Sequence, residues 1–158
     1  MDIRIDEEEG KFKFRVCGIL ECNNKFLAVK MNDNPFYCLP GGHVELGEDT
    51  NQAILREMEE ELGYAVKIQK LVSINQNFFN GVDGKKFHEI GFYYIVNAVD
   101  ESKINLSDYV REELDKGTIQ HLDFKWFTKE ELKKIDFRPA FVVDCLDKLG
   151  VELNITRD

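Results

Sequence analysis

The sequence has little positive charge and no long apolar segment. Its 158 residues include 21 Lys and Arg against 30 Asp and Glu, which gives a formal net charge of −9. Broad electrostatic binding to nucleic acid needs a basic surface, so this composition argues against a nucleic-acid polymer as a partner. The sequence shows no apolar run of about twenty residues and no charged leader followed by an apolar stretch. We therefore expect a cytoplasmic protein with no membrane partner.

The four cysteines lack the spacing of cysteine-based sites. Cys17, Cys22, Cys38 and Cys145 form no C-x-x-C pair and have no histidine at metal-ligand spacing. Neither a zinc site nor a disulfide scaffold is therefore indicated, and we expect thiols in a reducing compartment.

The length fits one domain over residues 1–158, because no linker or repeat divides the chain. A domain of this size buries about two-thirds of the surface that its unfolded chain exposes. Residues 1–10 are polar, and either disorder or an edge strand would fit them.

Residues 50–62 have the features of an amphipathic helix with marked ends. Asp49 or Thr50 can cap its start, and Gln52 lies three residues after Asp49 in capping-box register. Gly63 follows where a left-handed residue commonly ends a helix. At about 100° per residue, one arc holds the residues expected to face a core, which are Ile54, Leu55, Met58 and Leu62.

The neighbouring arc of this helix carries three carboxylates, Glu57, Glu60 and Glu61. Like charges at adjacent helical positions repel each other, so a bound cation is expected on this stripe. Hard oxygen ligands at this density suit Mg²⁺ or Mn²⁺. The alternative is a solvated acidic face, which is the common role of such a run.

The spacing around this helix resembles the Nudix box. Residues 42–64 match it at every fixed polar and glycine position, namely Gly42, Glu48, Arg56, Glu57, Glu60, Glu61 and Gly63. Seven such matches at fixed spacing are expected by chance on the order of once in 10⁸ windows. The chain departs from the pattern at Tyr64, where the family usually carries an aliphatic residue.

This resemblance implies an α/β fold, an α/β/α sandwich around a mixed β-sheet. It also implies hydrolysis of a pyrophosphate bond in a nucleoside diphosphate linked to another moiety, with Mg²⁺ as the cofactor and Mn²⁺ as the alternative. The ion is expected on Glu57, Glu60 and Glu61, with the Gly41 carbonyl as a further ligand. Arg56 is expected to pair with Glu48 and brace the loop, although an ordinary surface ion pair is the alternative.

The residue that accepts the proton stays open among several carboxylates. Glu60 is the candidate within the box, and Glu89, Glu112 and Glu113 are the candidates outside it. A general base contributes roughly 10² to 10⁴ in rate, so substitution separates them.

The rest of the chain alternates strand and turn patterns. We expect a glycine turn at Gly41 and Gly42 and a hairpin whose arms meet at Asn23 and Asn24. The remaining expected elements are a strand over residues 11–18, a long hairpin of 65–79 and 86–99 with its turn at 80–84, a strand over 122–127, a helix capped by Thr128, and a closing helix over 139–149.

Three residues are candidates for substrate binding. The resemblance places basic side chains at the substrate mouth, and Arg15 and Lys30 are those candidates, while ordinary surface residues are the alternative. Phe79, near the tip of the long hairpin with Phe78 and Phe87, is the candidate for stacking on a base, and core packing is the alternative.

The nucleotide itself is left open by the sequence. Nucleoside triphosphates, nucleotide sugars, ADP-ribose and dinucleoside polyphosphates all fit, and the small size of the chain favours triphosphates, including oxidised ones. The number of metal ions and the formation of a homodimer are open as well. A non-catalytic nucleotide-sensing module and an acidic helix without metal are the alternative functions.

Overall fold

The computed structural model of the chain describes residues 1–81, 83–148 and 153–157. The strands are β1 Arg4–Asp6, β2 Gly10–Cys22, β3 Lys25–Met31, β4 Gly41–His43, β5 Val66–Asn80, β6 Lys86–Ala98, β7 Tyr109–Asp115, β8 Thr118–Thr128 and β9 Asn154–Arg157. The α-helices are α1 Thr50–Leu62, α2 Lys129–Leu132 and α3 Phe141–Cys145, with short 3₁₀ segments at Glu101–Lys103 and Leu146–Lys148.

These strands form a mixed sheet in the order β7, β8, β3, β2, β6, β5, β9, and β1 and β4 also pair with β2. Strands β2 and β6 run parallel, as do β5 and β9, while the other pairs are antiparallel. The expected mixed sheet and the long β5–β6 hairpin are therefore confirmed. In the turn of that hairpin, Val82 lies outside the described residues.

The sheet divides beside β2, and this division creates the space for the site. Strands β2 and β3 pair only next to their turn, where Asn23 and Asn24 have the expected positive φ of 52° and 61°. Farther along β2, residues 15–17 pair with β4 instead of with β3. The two glycines therefore lie in a short strand rather than in the expected turn.

The two faces of the sheet carry helices, as the sandwich requires. Along β2, Val16 and Leu20 pack in the core cluster that holds the α1 side chains. Cys17 and Ile19 point the other way, into the cluster that holds Phe141 and other residues of the C-terminal region. This alternation follows from the two-residue period of a strand, and it confirms the α/β/α architecture.

Helix α1 begins and ends where its sequence predicts. The Asp49 side chain accepts from the Gln52 backbone N–H at 2.8 Å, and the Asp49 N–H donates to the Gln52 side chain at 2.9 Å. Gly63 ends the helix with a φ of 81°. The predicted buried arc is wrong at Leu55, which is 37% exposed, because the helix turns Ala53 into the core instead.

Three other expectations needed correction. Strand β7 was not predicted, because its exposed sequence YVREELD lacks a clear apolar face and is held by pairing with β8. Strand β8 is longer than residues 122–127, and it leads into α2 through the predicted Thr128 cap. The closing helix is shorter than residues 139–149, and Leu149 lies outside the described residues.

Residues 1–10 contain an edge strand, which was one of the two alternatives, since β1 pairs with β2. No helix within the described ranges is both long and apolar enough to cross a lipid bilayer.

Candidate functional site

A groove of about 620 Å³ lies where α1, β4 and the β7–β8 hairpin meet the N-terminal segment. Its lining combines box residues with residues far away in sequence: Asp2, Arg15, Met31, Gly41, Gly42, His43, Glu45, Arg56, Glu57, Glu60, Glu61, Glu112, Glu113, Leu114, Asp115, Lys116 and Gln120. The groove therefore collects carboxylates at high density.

Glu61 is the most buried carboxylate of the groove, at 3% exposure. The Gly41 backbone N–H donates to its Oε2 at 3.3 Å. Burial raises the pKa of Glu61 well above its ordinary value, and the nearby Glu57 and Glu113 carboxylates raise it further. A cation placed beside Glu61 would remove this penalty on the charged form.

The Glu57 carboxylate lies directly against the backbone of Gly42. A Cβ atom added at Gly42 would stand 2.2 Å from Glu57 Oε2, so no other residue type fits there without moving the carboxylate. Burial raises the pKa of Glu57 to about 7, although the Arg56 guanidinium opposes that shift. The lack of a side chain at Gly42 thus allows strand β4 and helix α1 to approach each other closely.

Arg56 joins the loop before α1 to the acidic stripe. Its Nε donates to Glu48 Oε2 at 3.1 Å, and its Nη2 donates to Glu48 Oε1 and, at 3.0 Å, to the His43 carbonyl. Its Nη1 donates to Glu57 Oε1 at 2.8 Å. The expected Arg56–Glu48 ion pair is present, and this hydrogen bonding holds the pKa of Glu48 below its usual range.

Glu60 completes the stripe and is the most exposed of the three acids, with its side chain 47% exposed. Its Oε2 accepts from Arg56 Nη1 at 3.4 Å. In the part of the chain that the structure describes, no three Asp, Glu, His or Cys side chains already surround a common point. The oxygen donors suit Mg²⁺ or Mn²⁺. Burial raises the pKa of Glu57 in spite of Arg56 and that of Glu61 in spite of Arg15, which favours a cation beside them. The residues therefore fit an ion once their carboxylates turn toward it.

Comparison with known protein families adds an independent finding. The family described as the NUDIX domain matches residues 12–143, which is most of the sequence. The chain belongs to the NUDIX domain family.

Individual relatives agree with this membership. The chain is 44% identical over 87 residues to an ADP-ribose pyrophosphatase of Methanocaldococcus jannaschii, covering 53% of this chain and 50% of that protein. It is 28% identical over 159 residues to Nudix hydrolase 25 of Arabidopsis thaliana, covering 89% and 86% of the two chains. This NUDIX domain chain thus spans about half the length of the archaeal relative.

Solved structures share the fold. A NUDIX hydrolase from Nitrosomonas europaea has a TM-score of 0.61 at 20% identity, covering 92% of this chain and 78% of that one. An ADP-ribose pyrophosphatase from Streptococcus suis has a TM-score of 0.59 at 14% identity, covering 92% and 98%. At such identities the likeness concerns the fold alone.

Outside the box, this NUDIX domain chain brings two of the three candidate bases into the groove. Glu112 and Glu113 both line it. Burial and the charges of Glu60 and Asp115 raise the pKa of Glu113. Glu89 is not among the lining residues; its Oε2 lies 3.9 Å from Arg15 Nη1.

Of the three candidate substrate-binding residues, the groove includes Arg15 alone. Burial by itself would lower the pKa of Arg15, but the Glu89 carboxylate and neighbouring groups raise it above its ordinary value. Lys30 lies on β3 with its Nζ 5.8 Å from the Tyr37 ring centroid. Phe79 lies at the tip of the β5–β6 hairpin.

Sequence reasoning missed the residues that close one end of the groove. Lys116 Nζ donates to Asp2 Oδ2 at 2.6 Å, joining the N-terminal segment to the β7–β8 turn. His43 Nδ1 lies 3.7 Å from the same Asp2 oxygen, but burial and the charges of Arg15 and Lys13 lower the pKa of His43 to about 4. His43 is therefore neutral at pH 7. No local signal connects residues this far apart in sequence.

Proposed function

We propose that the protein is a Mg²⁺-dependent hydrolase that cleaves a pyrophosphate bond in a nucleoside diphosphate linked to another moiety. The observation that carries this proposal is a pair of carboxylates, the buried Glu61 and the half-buried Glu57, that lie against the backbone of Gly41 and Gly42 and whose pKa values burial raises. Membership of the NUDIX domain family and the likeness to an archaeal ADP-ribose pyrophosphatase support it.

Glu57, Glu60, Glu61 and the Gly41 carbonyl are the groups that would hold Mg²⁺ or, in its place, Mn²⁺. When bound, such an ion neutralises charge on the bridging phosphates and lowers the pKa of a coordinated water. Arg56 orients Glu57 through its hydrogen bond, and Glu48 fixes Arg56 from the other side. We assign this positioning role to Arg56 and Glu48.

A carboxylate of the groove must also accept the proton of the attacking water. Glu60 is the candidate on α1, and Glu113 faces it across the groove from β7. Glu112 also lines the groove, but its Oε1 lies 3.3 Å from His121 Nδ1. Glu89 is the weakest candidate, because it faces Arg15 instead. A base in reach of the water should contribute about 10² to 10⁴ in rate.

The test is hydrolysis of a panel of nucleoside triphosphates, nucleotide sugars and ADP-ribose by purified protein with Mg²⁺. We expect release of a nucleoside monophosphate, abolished by a chelator and by Glu61→Gln. The matched control is Glu59→Gln, because Glu59 is an exposed acid of the same helix that does not line the groove. Nucleotide binding without any turnover would contradict the proposal and favour the non-catalytic nucleotide-sensing module.

A further inference from the structure

Strand β7 lies at one end of the sheet, and its outer backbone edge is open. In the order of strands it comes first, next to β8 alone. The β7–β8 hairpin closes at Asp115 and Thr118, on either side of a two-residue turn at 116–117. Such a closing pair exchanges both of its backbone hydrogen bonds, and every second residue along the strand does the same. The residues between them therefore direct their N–H and C=O groups away from the sheet, and these are Val110, Glu112 and Leu114.

These open groups form a template for a further strand. Within the described ranges, no backbone hydrogen bond outside the β7–β8 ladder reaches them. Strand β7 contains no proline, and its register with β8 is continuous, so the usual devices that block an edge are missing from the strand itself. Val110 and Leu114 are 63% and 73% exposed, and the exposed Ile119 lies opposite Leu114 on the same face. A partner strand would cover this apolar surface.

The sequence of β7, YVREELD, is complementary to itself when two copies run antiparallel. With Glu112 at the centre, Arg111 of one copy lies opposite Glu113 of the other, and Val110 lies opposite Leu114. The open backbone groups then face each other and can form about six hydrogen bonds. A centre at Arg111 or at Glu113 would instead set that residue against its own copy, and like charges directly opposite are destabilising. The charges therefore select the register centred on Glu112.

Both charges of this pair lack a partner within one chain. Among the residues that the structure describes, no opposite charge lies within 4.0 Å of Arg111 or Glu113. Burial and the charges of Glu60 and Asp115 raise the pKa of Glu113, although Arg111 of the same chain opposes that shift. A second cation opposite Glu113 would favour its charged form.

We propose that two copies of this chain form a two-fold symmetric dimer through the open edge of β7, with Glu112 at the axis. The same surface of each subunit meets the other, as a two-fold dimer requires. Because Glu113 lines the groove, the partner subunit would bring its own Arg111 to the edge of that groove. The dimer does not depend on the proposed hydrolysis, and its tests measure mass rather than turnover.

The first test is sedimentation equilibrium of the full chain over the micromolar range, where we expect a particle of twice the mass of one chain. Val110→Pro removes one outward N–H and leaves the hydrogen bonds to β8 in place, because a proline is tolerated where its nitrogen faces solvent. This variant should be monomeric with an unchanged circular dichroism spectrum. The control Val110→Thr keeps the N–H and the branched shape and should remain a dimer. A monomeric original protein, or an undiminished dimer in Val110→Pro, would overturn the proposal.

The second test exchanges the two charges. Arg111→Glu and Glu113→Arg should each weaken the dimer at least about tenfold, because each sets like charges opposite one another at two symmetric places. The double variant Arg111→Glu, Glu113→Arg should restore the affinity, which a defect in folding could not do. The control is Lys67→Glu, which makes the same change in net charge at an exposed position of β5 and should leave the dimer intact. If the double variant stays as weak as the single ones, the proposal is wrong.

The third test predicts a gain in affinity. In the proposed register the two Glu112 carboxylates meet at the axis, and each has a His121 Nδ1 of its own chain at 3.3 Å from its Oε1. Glu112→Gln removes this like-charge pair and should tighten the dimer about threefold. A dimer that Glu112→Gln weakens would contradict the register centred on this residue.

Discussion

At the scale of single residues, the site depends on two glycines that let carboxylates approach the backbone. The Gly41 N–H donates a hydrogen bond to the Glu61 carboxylate, and the absence of a side chain at Gly42 leaves room for the Glu57 carboxylate. The sequence spacing identified the box acids and the glycines, because these residues lie close together in the chain. It could not identify Asp2 or Lys116, which reach the groove only through tertiary structure.

The closest of these contacts gives a direct prediction. Gly42→Ala places a methyl group where the Glu57 carboxylate now lies, so Glu57 must turn away from the groove. We expect kcat/KM to fall at least about tenfold, with little change in the melting temperature because the movement is local. The control is Gly84→Ala at a φ of 78°, which strains a remote turn and should leave activity unchanged. Full activity in Gly42→Ala would show that the position of Glu57 is unimportant.

Glu48 and Glu61 should differ in the size of their effects. Glu48 holds Arg56, whereas Glu61 lies buried at the point where the cation is proposed. Glu48→Gln keeps one oxygen acceptor for Arg56, so we expect kcat to fall about tenfold or less. Glu61→Gln should lower it by at least about 10². Equal and near-total losses, measured at saturating substrate, would indicate that Glu48 is also a metal ligand.

At the scale of secondary structure, elements marked by local sequence signals were predicted better than elements held by pairing with distant strands. The cap at Asp49 and the stop at Gly63 fixed both ends of α1, because each acts within a few residues. Strands β4 and β7 were missed, since their backbone hydrogen bonds go to β2 and β8 and their own sequences carry no alternating apolar pattern.

The cap of α1 also supports a stability prediction. Asp49→Ala removes the side-chain oxygen that accepts from the Gln52 N–H. We expect the free energy of unfolding to fall by about 1 kcal/mol, measured by urea denaturation, with kcat nearly unchanged at 25 °C. Asn51→Ala, an exposed position in the same first turn, is the control and should be close to neutral. No loss of stability in Asp49→Ala would mean that the capping box contributes little.

At the scale of the whole molecule, the divided sheet determines where the acids meet. The separation of β3 from β2 leaves the groove between α1, β4 and the β7–β8 hairpin. The fold class could be expected from the resemblance to the Nudix box. The shape of the groove could not, because it depends on how an unpredicted hairpin and the N-terminal segment pack against the helix.

This concentration of acid should make the stability of the metal-free protein depend on pH. Burial raises the pKa of Glu57 from 4.5 to about 7 on folding. Below pH 4.5 Glu57 is protonated in both the folded and the unfolded protein, and its contribution to stability is fully present. As the pH rises from 4.5 to 7, Glu57 loses its proton in the unfolded protein first, so the free energy of unfolding falls by about 3 kcal/mol. Glu57→Gln should therefore flatten the fall in unfolding free energy between pH 4.5 and 7.5. Mg²⁺ should restore stability to the original protein at pH 7.5. A variant that keeps the same fall in stability as the original protein would contradict this assignment.

The proposed hydrolysis depends most on a divalent ion held by the acids of α1, and Mn²⁺ binding measured by electron paramagnetic resonance tests this directly. Titration of the protein with Mn²⁺ should show at least one bound ion, strongly weakened by Glu61→Gln and by Glu57→Gln and unchanged by Glu59→Gln. Undiminished Mn²⁺ binding in the Glu57 and Glu61 variants, or no binding to the original protein with nucleotide present, would contradict it.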